Sequence, residues 1–233
     1  MQASPLNMYS NLFFMKLLFI LTSALLTLCY TAHAQKYVDS NNPDEVKSLL
    51  SKNNDVTGFG GIDVKVGDFN QERALLTGAY GGVIINRHYF LGVAGYGLVT
   101  ENKFIGEVSA FDGITETKEL SIYGGYGGLM IGGIIAPKKA VHINIPVILA
   151  AGTLYVSDDN FLTTPQNSDV TVEQTTFFVV EPGMTIEANI TPSFRIGLGA
   201  TYRLARGINL NQQLTDDDFS QFSGLLSLRF GRF

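Results

Sequence analysis

Residues 174–205 read QTTFFVVEPGMTIEANITPSFRIGLGATYRLA, and two runs of alternation pass through them. Phe178, Val180, Pro182, Met184, Ile186, Ala188 and Ile190 are apolar or small, while the intervening Glu181, Gly183, Thr185, Glu187 and Asn189 are polar or small. After Thr191-Pro192-Ser193 the pattern restarts, with Phe194, Ile196, Leu198, Ala200, Tyr202 and Leu204 on one face and Arg195, Gly197, Gly199, Thr201, Arg203 and Ala205 on the other. A period of two, broken by a short turn, predicts an antiparallel hairpin with one greasy and one polar face. Its strands exceed the about 5–6 residues common in soluble sheets. That excess points to a membrane barrel.

The amino end fits the same destination. Met15-Lys16 supplies a positive start, Leu17–Leu28 an apolar stretch and Ala32-His33-Ala34 a small-residue cleavage site, the pattern of a secretory signal peptide. Residues 1–34 are therefore expected to be an upstream extension plus signal, with the mature chain starting at Gln35. Cys29 follows Leu28 rather than a small residue, so lipidation is not expected, and removing the signal leaves no cysteine for disulfides or thiolate metal sites. The remaining chain carries 15 basic against 21 acidic residues, without a basic run, which argues against nucleic acid as a partner. Past the signal, no stretch reaches the about 18 apolar residues of a membrane helix.

Residues 35–56 form a polar segment in which Asn42-Pro43-Asp44-Glu45 precedes Val46, Leu49 and Leu50, predicting a short periplasmic helix. Asp39 and Asn41 begin like a calcium loop, but its glycine and final carboxylate are missing, so no metal is expected there. From residue 57 to 233 the chain reads as eight strands: Thr57–Val66, Glu72–Asn86, His88–Thr100, Thr117–Ala136, Lys139–Val156, Gln174–Ile190, Phe194–Ala205 and Gln221–Phe233. Tight turns at Asn86–His88, Pro137–Lys139 and Thr191–Ser193 alternate with a shorter loop around Gly67–Gln71 and long polar loops at Glu101–Glu116, Ser157–Glu173 and Arg206–Ser220. The fold class expected is all-β: an eight-stranded antiparallel up-and-down transmembrane β-barrel, with short periplasmic turns and longer extracellular loops.

If the apolar faces meet lipid, Phe194 and Tyr202 are separated by roughly 20 Å along the membrane normal, near the about 25 Å apolar band of such barrels. Tyr89, Phe90, Phe194 and Phe230 are then expected at the periplasmic rim, and Tyr155, Phe178, Tyr202 and Phe222 at the outer one. Pairing Ile190 with Phe194 sets Glu181 opposite Arg203 and Asn189 opposite Arg195, with Glu187 diagonal to Arg195 and Arg229 extending the group. Glu181, Glu187, Arg195, Arg203 and Arg229 are thus the expected lumen charges, and Glu181 with Arg203 the pair expected to respond non-additively to mutation. His142 and Asn144 are also expected to face the lumen, and Pro146 to mark a bulge or a change of face. The recurrent Tyr-Gly-Gly at 80–82, 123–125 and 126–128 matches no phosphate-binding fingerprint and is expected to serve bending and close packing. Residues 89–99 and 121–135 are apolar on both faces, which leaves their register open.

With its signal, its loop asymmetry and the terminal run Ser223–Phe233, the chain over 57–233 resembles the small eight-stranded outer-membrane β-barrel proteins of the OmpX/OmpA-like group. The resemblance implies an outer-membrane location, outer-membrane lipid around the barrel, and recognition by the barrel-assembly machinery through a terminal aromatic. Phe233 is the residue it points to, yet Phe222, Leu226, Leu228 and Phe230 set the opposite parity, so either a bulge at Gly231 or Phe230 as the effective anchor is expected. The function expected is structural, or interaction through surface loops with an extracellular partner that the residues do not identify, without catalysis or cofactor. Two rivals are a lipid-modifying hydrolase or acyltransferase and a soluble exported lipid-binding barrel. The first lacks a histidine on the outer side, since His88 and His142 lie by short turns, and Asp158, Asp159 and Asp216–Asp218 are expected to be solvated loop acids. The second would need a charge-dense outer face, where Gly183, Gly197 and Gly199 instead suit a crowded interior.

Overall fold

The computed structural model describes residues 55–69, 72–109, 115–157, 171–210 and 214–233. The expected signal and nearly all of the 35–56 segment lie outside these residues. Ten strands follow in order: β1 Val56–Phe69, β2 Glu72–Ile85, β3 Tyr89–Leu98, β4 Asn102–Ser109, β5 Thr115–Ile135, β6 Val141–Ser157, β7 Thr171–Thr191, β8 Phe194–Tyr202, β9 Leu204–Arg206 and β10 Phe222–Gly231, with a one-turn helix, α1, at Asp216–Phe219. β1, β2, β3, β5, β6, β7, β8 and β10 pair antiparallel in a ring, closed by β1 against β10 and β3 against β5. The fold is thus an all-β eight-stranded barrel, and closure removes the sheet edges within the ring.

The tight turns gather at the end where β1 begins and β10 stops. In the β2–β3 hairpin Asn86 and Arg87 both have positive φ, of 52° and 61°, and His88 N–H donates to the Ile85 carbonyl at 3.1 Å, the geometry of a two-residue primed turn. Three strands rise far beyond what a bilayer needs. β5 and β7 each hold 21 residues and β6 holds 17, whereas about 9–11 suffice to cross. Their surplus projects at the long-loop end.

Two expectations about loops are corrected there. Residues 102–109 form β4 rather than loop, pairing with β5 from Asn102↔Ile122 to Ser109↔Thr115. β4 takes over β5 where β3 has ended, and Phe104 packs on the core beneath. Polar strands of this kind carry little local signal because their hydrogen bonds depend on a distant partner. In the last loop, Thr215 N–H bonds the Asp218 carboxylate at 2.8 Å, and Phe219 drops onto Phe69 with ring centroids 4.5 Å apart. The loop therefore carries a cap on the barrel through Phe219, while its acids stay solvent-accessible as expected, Asp217 at 93%.

The lumen is filled. At the long-loop end Phe69, Leu120, Ile122, Leu154, Val156, Phe177 and Val179 meet Phe219 in one apolar cluster, which also takes in Leu210 and Leu214. Inward-facing glycines let adjacent strands approach closely. Gly82, from the first Tyr-Gly-Gly, sits directly across from Gly92, and a Cβ on it would lie 2.2 Å from the Leu91 carbonyl oxygen. A Cβ on Gly92 would meet the Gly81 carbonyl at the same 2.2 Å. Gly92→Leu is therefore expected to abolish the compact, heat-modifiable band on unboiled gels. A retained band would contradict this close approach.

Outward positions form an apolar belt that includes Ile62, Leu91, Val93, Leu129, Leu149, Met184, Ile186, Leu198 and Leu226, all exposed. Phe194 stacks on Phe230 at 4.9 Å near one rim, and Tyr202 lies 4.5 Å from Phe222 near the other. Tyr89, Tyr155 and Phe178 are also outward and exposed. Phe90 is not at the lipid rim: it is 3% exposed and packs 6.0 Å from Phe59 inside, because strand alternation puts neighbours Tyr89 and Phe90 on opposite faces. Pro146 causes no change of face. The β6–β7 ladder skips from Asn144↔Thr185 to Val147↔Pro182 without a shift in register, and Gly183 provides the space against the Pro146 ring.

Candidate functional site

The one concentration of chemistry in the described barrel is a column of polar side chains inside it. Alternation delivers them: Asp63 and Lys65 come from β1, Tyr80 from β2, Tyr96 from β3, Tyr126 from β5, His142 and Asn144 from β6, Glu181 and Glu187 from β7, Arg195 from β8, and Ser227 and Arg229 from β10. Arg203 joins from the break between β8 and β9. Four cations (Lys65, Arg195, Arg203 and Arg229) face three carboxylates (Asp63, Glu181 and Glu187), all buried.

At mid-barrel Lys65 Nζ lies 2.5 Å from Glu181 Oε1, and the Tyr126 hydroxyl donates to the other Glu181 oxygen. The same ammonium sits 3.2 Å from the centre of the Tyr96 ring, whose hydroxyl donates to Asp63 Oδ2 at 2.8 Å. Toward the short-turn end Arg229 reaches Glu187 at 3.2 Å and donates from Nε to the Tyr80 hydroxyl at 3.2 Å. Tyr80 is in turn 2.7 Å from Ser227 Oγ. His142 Nε2 is 3.2 Å from Glu187 and 3.2 Å from Arg195 Nη1, so its tautomer decides which of the two it bonds. Only a cavity of about 20 Å³ remains among these groups, room for about one water.

The hairpin register is as the alternation requires: Asn189 pairs with Arg195 and Gly183 with Thr201. Ile190 itself falls in a bulge, and Thr191 takes Phe194 instead. One expected contact is corrected. Glu181 bonds Lys65 and Tyr126, whereas Arg203 donates from Nε to the Phe219 carbonyl at 2.8 Å and from Nη2 to the Asp68 carbonyl at 3.4 Å. Arg203 follows the end of β8, and its side chain reaches the α1 cap rather than across to β7. Glu187 meets Arg195 at 3.9 Å and Arg229 at 3.2 Å.

Lys65, Asp63 and the three tyrosines were missed as partners. Asp63 and Lys65 share a parity opposite to Ile62, Val64 and Val66, a visible signal that two charges on β1 face inward. The tyrosines gave none, because their strands are apolar on both faces. The β1–β10 ladder runs from Gly67↔Ser223 to Phe59↔Gly231 without a bulge. Phe230 is therefore outward. Phe233 lies past the strand and folds inward, its ring 3.5 Å from the Arg195 guanidinium. Among the described residues no three His, Cys, Asp or Glu side chains converge as metal ligands.

No protein-family model matches the chain, and no curated protein matches it in sequence. The solved structures to which it is similar include small outer-membrane β-barrel proteins. Neisserial surface protein A shares 12% identity over 78% of this chain and 99% of that one, with a TM-score of 0.44. The N-terminal barrel domain of Pseudomonas aeruginosa OprF shares 11% over 74% and 96%, at 0.41. Ail, the attachment invasion locus protein of Yersinia pestis, shares 13% over 76% and 97%, at 0.38. The barrel assignment here rests on the closed strand ring itself.

Proposed function

We propose that this chain is an integral outer-membrane protein whose barrel is a closed anchor and whose protruding sheet is the working surface. The observation that carries the proposal is the inverted distribution of polarity: exposed Leu, Ile, Val and Met cover the ring outside, while its buried charges lie inside. A soluble barrel would wet that outer face, and a lipid carrier would need a larger lumen than the cavity of about 20 Å³ at its centre. The protein should stay with membranes through alkali washing and require detergent for release. Release by salt or alkali alone would sink the proposal.

Among the described residues, the Phe69–Phe219 contact and the cavity of about 20 Å³ below it argue against a continuous water path. Planar-bilayer recordings of the purified protein are accordingly expected to show no stepwise conductance, and stable channel openings would overturn the closed-anchor assignment.

Above the belt, β4, β5, β6 and β7 continue as a sheet in which β4 is the terminal strand. β4 bonds β5 along one side; Lys103 N–H meets a Glu72 carboxylate oxygen at 3.1 Å on the other, and Ile105 is 79% exposed. Such an edge fits an extended segment of an extracellular partner, added as a further strand. The assembly role falls to Phe230, which lies outward within β10, with outer-membrane lipid and the assembly machinery as the partners during insertion.

A further inference from the structure

The short-turn mouth of the barrel holds a pocket of about 560 Å³, within the size range of small-molecule sites. Arg87 and Lys138 stand at its rim and Arg195 lines its floor, with Thr57, Asn189 and Thr191 as further polar lining. Among the described lining residues no side chain is a carboxylate. Asp55, at the same rim, is held by Arg87 at 2.9 Å, while Lys138 is exposed.

Arg195 is the informative residue. It is 3% exposed, and its Nε has no hydrogen-bond partner. Its ion-pair partner, Glu187 at 3.9 Å, is bonded more closely by Arg229 and His142, both at 3.2 Å. Lys65 has Glu181, Arg229 has Glu187, and Arg203 has two backbone carbonyls. The interior thus holds four cations against three carboxylates, and Arg195 is the one of the four with an unbonded N–H beside an open pocket. The Phe233 ring, 3.5 Å from the guanidinium, covers it on one side.

We propose that this mouth binds an anionic group, a phosphate or carboxylate presented from the periplasmic side, through Lys138 and Arg87 at the rim and Arg195 at the floor. Bidentate contact with a planar guanidinium suits both anions, and a burial site with excess positive charge favours them over neutral ligands. The source is either a soluble anion or the headgroup of an anionic lipid in the adjoining leaflet.

The test uses the ¹⁵N-labelled full-length mature protein at low ionic strength, where charge contacts are least screened. In zwitterionic micelles, inorganic phosphate is expected to shift the Arg195 Nε–H resonance saturably, with the resonance assigned by its loss in Arg195→Lys. Arg87→Asn combined with Lys138→Gln should weaken that binding about tenfold, since each exposed contact contributes modestly; Asn suits the positive φ of Arg87. In phosphatidylcholine nanodiscs doped with phosphatidylglycerol, the same shift without added phosphate would support the proposal with the lipid headgroup as the source. A shift with free phosphate alone would support it with a soluble ligand. No saturable shift with either probe, or unchanged affinity in the double variant, would overturn it.

Discussion

Lys65→Met is expected to destabilise the barrel by about 3–5 kcal/mol, because it leaves the Glu181 carboxylate buried without its counter-ion. Both side chains are 1% exposed and their charged atoms lie 2.5 Å apart. A single water in the cavity of about 20 Å³ and the remaining Tyr126 donor can supply hydrogen bonds but no charge. Lys65→Met with Glu181→Gln should recover much of the loss, since two neutral side chains do not need each other. Denaturant unfolding in lipid vesicles, followed by heat-modifiable mobility, gives the cycle. Coupling of about 1.5–3 kcal/mol is expected between Lys65 and Glu181, against under about 0.5 kcal/mol between Arg203 and Glu181. Equal couplings, or the reverse order, would contradict the contact pattern of the lumen.

Leu198→Arg is expected to cost about 2–4 kcal/mol, the penalty for a cation on the lipid face near mid-bilayer. Leu198 is 65% exposed and sits halfway along β8, between the Phe194–Phe230 and Tyr202–Phe222 aromatic pairs. Its exposure alone would make it a harmless site in water. Ile105→Arg supplies the contrast, since Ile105 is still more exposed but belongs to β4, above the ring. There the change should stay within about 0.5 kcal/mol, as for ordinary surface substitutions. If unfolding in vesicles shows both variants neutral, the outer face is wetted and the membrane assignment fails. If both are costly, β4 lies in the bilayer and is no docking edge.

Sequence and structure agree most closely along β7 and β8. There apolar positions alternate with polar or small ones from Val180 to Tyr202, and a slip by one residue would expose Glu187 and Arg195 to lipid. The strand parity, the turn and the inward face were therefore legible. β3 and β5 differ, because apolar residues on both faces give no energetic preference to either register. Their fit is constrained instead by sterics, at inward positions such as Gly92 on β3 and Gly128 on β5, where a Cβ would strike a carbonyl of the adjacent strand. Pro146 misled for a related reason: a proline suggests a broken ladder, yet glycine at 183 across from it absorbs the ring.

The amphipathic alternation of single strands settles a great deal before any contact is known: eight crossings, the short-turn and long-loop ends, and a polar interior. These are local properties, carried by side chains pointing to opposite sides of one backbone. Which charges meet is decided elsewhere. Glu181 could face Arg203 by its register in the hairpin, but it bonds Lys65 from β1, more than a hundred residues away in the chain. The ring must close before β1 and β7 share a lumen. Only then do side-chain length, the Tyr126 and Tyr96 rings and the α1 cap determine that Lys65 reaches Glu181 while Arg203 turns to backbone carbonyls. Alternation is a one-dimensional signal, and ion pairing across a barrel depends on its diameter and stagger, which no single strand encodes.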